Sequence, residues 1–237
     1  MSRRQTRGEY IETESGNRIS RKAVILGSQH ILLGGRSTIL PECVVRGDLH
    51  RPSSASSTGT AGASVNIGRY SFLEKGVVIK PPFKFYKGLV IIYHIYEPTL
   101  TPLRSLVYYP LKIGNFVSIG ANSIIEAATI GSYVNIGSNC VVGKFAIIKD
   151  CVLVLDGTVI PSTACIPPFA VVAGNPAIVV DELPESSAEV FERRARQIHA
   201  LHGATLTSMK IAEVKQSVFD DDVDEEFDLM HDFTVNS

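Results

Sequence analysis

The residues with the widest chemical reach in this 237-residue chain are its six histidines: His30, His50, His94, His199, His202 and His231. Imidazole accepts a proton near neutral pH or binds a metal as a neutral ligand. A zinc centre needs about three N or S ligands converging within roughly 2.0–2.3 Å of the ion. Only His199 and His202 are closely spaced, and on a helix they read as a solvated face. His30 and His50 read as surface loop or corner residues, and no histidine lies between residues 95 and 198. The four cysteines, Cys43, Cys140, Cys151 and Cys165, show no CxxC spacing and read as reduced thiols packed in a core. One polar cluster remains, Arg46-Gly47-Asp48. As a catalytic pair it lacks a base or metal beside it, so Arg46 and Asp48 are expected to form a structural ion pair or part of a subunit interface. No catalytic, cofactor-binding or metal-ligating residue is assigned, and no cofactor is expected.

The elements that position these residues follow from a repeat. Steps of six from Ile113 give Ile119 and Ile125. After the loss of one residue the series resumes at Ile130 and runs through Ile136, Val142, Ile148, Val154, Ile160, Ile166 and Val172 to Ile178. Ile and Val make up roughly a fifth of the chain, so twelve in a row at these places is not chance. Gly follows five of the anchors (Gly114, Gly120, Gly131, Gly137, Gly143), and residues of modest size stand four places after most of them, such as Val117, Ser123, Cys140 and Thr158. Period six fits no single helix face. It fits a short strand plus a corner, because i and i+4 of a strand point the same way. Three strands per coil give a triangular stack of parallel strands, with aliphatics inside and Gly permitting the corner.

Upstream, the sets Ile19, Ile25, Ile31, then Ile39 and Val45, then Ile67, Leu73 and Ile79 follow the same rule less strictly. The organisation read from this is a flexible N-terminus over 1–9, a β-helix over 10–183 with loop insertions at 51–64 and 84–110, a helix over 184–203 and a disordered acidic tail over 204–237. Insertion 84–110 carries Leu-Val near both ends (89–90 and 106–107), as an inserted segment would. The helix is expected to end at Gly203 and to cover the open strand edge of the last coil, with Val190, Phe191, Ala195, Ile198 and Leu201 as its apolar stripe.

Hydrophobic residues are 45% and charged residues 20%, which excludes a mostly disordered chain. No apolar run approaches the roughly 20 residues of a membrane span, so no membrane insertion is expected. The basic N-terminus is followed by no apolar stretch, so no secretory signal is expected and the expected location is the cytoplasm. Eight of the 24 acidic residues lie in 219–237, leaving 23 basic against 16 acidic residues elsewhere. That modest excess has no Lys/Arg cluster interleaved with aromatics, so no nucleic-acid partner is expected. The runner-up to a docking block is a hexapeptide-repeat enzyme, either an acyltransferase or a zinc hydratase. Histidine placement speaks against both.

Several segments narrow the reading. They are Tyr10-Ile-Glu-Thr-Glu-Ser-Gly-Asn17, Gly27-Ser-Gln-His-Ile-Leu-Leu-Gly34, Val44-Val-Arg-Gly-Asp-Leu49, Val78-Ile-Lys-Pro-Pro-Phe83, Tyr109-Pro-Leu-Lys-Ile-Gly114, Ala128-Thr-Ile-Gly-Ser-Tyr-Val134 and Ile147-Ile-Lys-Asp-Cys151. In this order they resemble the dynactin subunit 5 family over about residues 8–184, apart from the two insertions and the acidic tail. The resemblance implies a left-handed coil, no catalysis and a place in the dynactin pointed-end complex, which caps an actin-like filament and helps dynein–dynactin engage cargo such as endosomes. It implies a cytoplasmic, cytoskeletal location. Its implied partners are dynactin subunit 6 as a heterodimer, dynactin subunit 4, the pointed-end actin-related protein and cargo adaptors. Arg46-Gly47-Asp48 is also similar to γ-type carbonic anhydrases, but the histidines those enzymes need are not at the matching places.

Overall fold

Each hexad turns one branched aliphatic inward, and the backbone follows it around a triangle. The computed structural model describes residues 9–50, 63–93 and 98–203. The chain divides into two units, 1–196 and 197–237, and the second is described only over the last turns of the C-terminal helix. The first holds every strand among the described residues.

Three parallel sheets form its faces. The first face takes Arg18–Ser20, Thr38–Ile39, Phe72–Leu73, Ser118–Ile119, Asn135–Ile136, Leu153–Val154 and Ala170–Ala173. The second takes Val24–Leu26, Val44–Arg46, Val78–Ile79, Ile124–Ile125, Val141–Val142 and Val159–Ile160. The third takes Ile31–Leu33, Val65–Ile67, Leu111–Ile113, Thr129–Ile130, Ile147–Ile148 and Cys165–Ile166. The anchors pair directly from coil to coil, as in Ile119 with Ile136 and Ile130 with Ile148. Anchors from Ile39 to Val172 are buried, each gaining about 2–3 kcal/mol from leaving water. The small slots behave as expected: Val117, Ser123, Cys140, Ala146 and Thr158 are fully buried. Thr129 is only half-buried, because the side from Ile125 to Ile130 is one residue short and Ala127 fills the inward place instead.

The corners work differently from the expectation that Gly would turn them. At most corners the residue three places after the anchor adopts the left-handed conformation, and it is usually not Gly: Tyr70, Phe116, Asn122, Tyr133, Asn139, Phe145 and Thr163 have φ from 54° to 63°. This conformation costs roughly 1–2 kcal/mol for an L residue. It is held by amide bonds to the preceding coil, such as Phe116 N–H to Arg69 O at 2.8 Å and Asn139 N–H to Ala121 O at 2.8 Å. The Gly after the anchor serves close approach. A Cβ on Gly120 would stand 2.4 Å from the carbonyl carbon of Gly137 in the next coil, and one on Gly114 2.5 Å from that of Gly131.

The ends of the first face are closed by reversal. Tyr10–Glu12 pairs antiparallel with Arg18–Ser20, and Ile178–Glu182 with Ala170–Ala173. The last anchor of the series, Ile178, is therefore 62% exposed. The C-terminal helix, expected over 184–203, spans Ser187–Gly203, and this strand takes the edge assigned to it. Arg196 instead lies over the rings of Tyr70 and Phe116, several coils back. No helix among the described residues is long and apolar enough to cross a membrane.

Both insertions leave the corner between the second and third faces. The segment 84–110, expected as a loop, takes regular form: Phe83–Tyr93 and Pro98–Tyr108 pair as an antiparallel ribbon. Ser64, expected within the loop 51–64, is buried in the coil. Most of the expected N-terminus (1–8), the rest of that loop (51–62) and the acidic tail (204–237) lie outside the described residues.

Two substitutions separate the roles of glycine. Gly120→Ala forces apart two main chains and is expected to cost about 3 kcal/mol or prevent folding. Gly157→Ala, at φ +70° with open space around it, should cost only about 1–2 kcal/mol. Urea unfolding of both variants checks the order, and equal losses would refute the close-approach role.

Candidate functional site

The polar corner begins where the second-face strand Val44–Arg46 ends. Gly47 follows because a Cβ there would meet Ile31 Cγ1 at 2.4 Å and Gly27 O at 2.6 Å in the coil before. The turn brings Asp48 back beside Arg46, which donates from Nε to Oδ1 and from Nη2 to Oδ2, both at 2.8 Å. This two-pronged pairing matches the guanidinium fork to the carboxylate. The Arg46 hydrogen bond holds the Asp48 carboxyl below its usual range and raises the guanidinium in turn. A carboxylate so stabilised is a poor proton acceptor.

The structure brings His30 and His50 together, which the sequence reading left apart. Their rings stack with centroids 4.0 Å apart at 25°. His30 ends the 3-10 turn Ser28–His30 and is buried, and its Nδ1 has no hydrogen-bond partner among the described residues. The Nδ1 of His50 lies 2.9 Å from the Asp48 carbonyl. Ser64 ties the two corners by donating to Gly47 O at 2.9 Å. A cavity of about 220 Å³ opens beside His50, lined by Leu49, Ala63, Ser64, Tyr108, Tyr109 and Pro110 at the foot of the ribbon. The missed signal was offset: His30 and His50 each stand five residues after a second-face anchor, Ile25 and Val45.

No group of three or more His, Cys, Asp or Glu able to hold a metal occurs among the described residues. His94 and His231 lie outside them, and His199 is on the helix. Cys43, Cys140 and Cys151 are buried and Cys165 is exposed. Burial pushes the Cys43 thiol up to about 11 and raises Cys140 and Cys151 as well, the opposite of a nucleophile.

A second constellation was not anticipated. Tyr70, Phe116 and Tyr133 occupy one corner in successive coils and stack face to face, with centroids 5.3 and 5.2 Å apart. Arg36 bonds the Tyr70 hydroxyl from one side. Arg196, paired with Glu192 one helical turn earlier, lies 5.1 Å above the Tyr70 ring. These arginine–ring contacts are a structural clasp.

The family model for dynactin subunit 5 matches residues 4–199. A relative named dynactin subunit 5, from Dictyostelium discoideum, is 37% identical over 126 residues, 53% of this chain and 49% of the relative. The match thus spans about half the length of that relative. Among solved structures, a hexapeptide transferase family protein from Anaplasma phagocytophilum superposes with a TM-score of 0.50 at 17% identity, covering 80% of this chain and 93% of that one. The acetyltransferase domain of PglB from Neisseria gonorrhoeae reaches 0.47 at 16%, covering 69% and 57%. The first of these likenesses concerns the fold alone, a left-handed parallel β-helix of hexapeptide repeats.

Asp48→Asn should remove the ion pair at a cost of up to about 1 kcal/mol at pH 7, since the pair is partly exposed. Because the folded-state pKa is depressed, the contribution is present above the usual carboxylate value of 3.8 and is lost as pH falls below it. Urea midpoints of the two proteins are therefore expected to converge near pH 2–3. Thiol labelling under native conditions at pH 8 should modify one cysteine quickly, and Cys165→Ser should abolish that phase.

Proposed function

Because this chain belongs to the dynactin subunit 5 family, we propose that it is a non-catalytic structural and adaptor subunit of dynactin. In this reading it sits in the pointed-end complex, where it helps cap the actin-like filament and helps dynein–dynactin engage cargo such as endosomes. Its partners are dynactin subunit 6 as a second β-helix, dynactin subunit 4, the pointed-end actin-related protein and cargo adaptors. Its place is the cytoplasm, on the cytoskeleton. The observation that carries the reading is the family match across residues 4–199, which takes in the entire coil stack and most of the helix.

The site chemistry supports the non-catalytic part. Arg46 and Asp48 satisfy each other, and His50 is turned to a main-chain carbonyl. Arg46 and Asp48 act as the clamp that fixes the corner below the first insertion. A stack of coils also has little freedom to lose on binding, which favours a docking role.

A hexapeptide-repeat enzyme is the second reading, since the same scaffold supports transferases. No histidine lies between residues 95 and 198, so the coils from Leu111 onward offer it no imidazole. The two readings part in one experiment. The full chain mixed with dynactin subunit 6 at micromolar concentration is expected to elute as one complex, free of zinc and without tight coenzyme A binding. Separate elution, or stoichiometric zinc that resists dialysis, would overturn the proposal.

A further inference from the structure

The three faces differ in what they turn outward. On the second face the outward residue just before the anchor is a β-branched aliphatic in every coil: Val24, Val44, Val78, Ile124, Val141 and Val159, while Leu26 and Arg46 also face outward in the first two coils. They are direct register partners, each above the next. Val24 is 47% exposed, Ile124 37% and Val141 38%, and the other three are half-buried. At about 4.8 Å per coil the column runs about 24 Å. The third face is mixed at the same places, with Asn66, Lys112 and Thr129 among its outward residues. On the first face Thr38, Phe72 and Val171 are already buried.

The polar residues beside the column are paired within the chain. Glu42 and Lys75 bridge two coils on one side at 3.2 Å, and Lys80 and Glu126 do so on the other at 2.5 Å, beside the Arg46–Asp48 pair. An apolar centre with a polar, charge-balanced rim is the anatomy of a protein interface. The balance of signs favours an equally balanced partner over a strongly acidic or basic one.

We propose that the second face is the surface on which a second parallel β-helix docks, sheet against sheet. The inference rests on the reading of this chain as one member of a β-helix pair. The area decides the kind of partner. A face six coils long and roughly 15–20 Å wide offers about 500 Å². Matched by an equal face, it buries about 1,000 Å² in total, the lower bound of a specific interface. A single helix or extended peptide, about 10 Å wide, would leave much of it wet. A partner sheet with the same 4.8 Å spacing sets its own outward residues between these, at the usual 10 Å between packed sheets.

The test uses the full chain with dynactin subunit 6, followed by sedimentation. The double variant Ile124→Lys/Val141→Lys is expected to weaken association at least 100-fold. Ile147→Lys, of equal exposure on the third face, should leave it unchanged. Ile124→Thr/Val141→Thr keeps the branched shape and guards against misfolding, and it should weaken association about tenfold. If both double variants bind as well as wild type, or Ile147→Lys is equally damaging, the inference about this face is overturned alone. If wild type itself does not associate, the pairing reading falls and this inference with it. A wild-type homodimer that the double variant dissolves would give the face to a second copy and overturn the choice of partner.

Discussion

Each coil of this protein satisfies much of its backbone only by borrowing from the next. Ser118 N–H reaches Val134 O at 2.9 Å, and Asn135 N–H reaches Val152 O at 2.9 Å, one coil further on. An amide left unpaired inside the stack would cost as much as a lost hydrogen bond. The spacing of coils is therefore not adjustable, and the remaining features adapt to it. Glycine stands where two main chains come too close for a Cβ. Left-handed corners are tolerated because their amides are caught by the coil before. Even the buried hydroxyls join in, as Ser123 donates to Gly137 O at 2.9 Å and accepts from Cys140 N–H at 3.0 Å.

That rigidity explains what could be read from residue order. A fixed six-residue beat is the direct imprint of a fixed coil, so the anchors from Ile113 to Val172 stood out and are buried. Ile178 kept the beat but not the direction. A period records spacing, and a strand that turns back antiparallel can keep the spacing by accident. The helix was readable from its own stripe, but its resting place depends on Arg196 meeting two rings that lie about 80 and 125 residues earlier. Nothing local encodes such a contact.

The candidate site shows the same division. The Arg46–Asp48 pair is a contact between near neighbours, of a kind residue order alone can suggest. The His30–His50 stack is a contact between coils, and it becomes visible only when residues are counted from their anchors. Tyr70, Phe116 and Tyr133, each three places after an anchor, hide in the same way. Contacts on this scaffold thus run in columns down the stack. The second-face column of Val and Ile is of this kind, and composition alone would have counted it as core.

One corner is exempt from the coil's strictness. Where the chain passes from the second face to the third, it holds a 3-10 turn in the first coil, the first insertion in the second and a ribbon in the third. The coils above and below remain in register across all three. This is the seam at which the molecule tolerates added mass. A reporter domain spliced there should ride along without disturbing its neighbours, whereas the same graft at either of the other two vertices would have to pry the coils open.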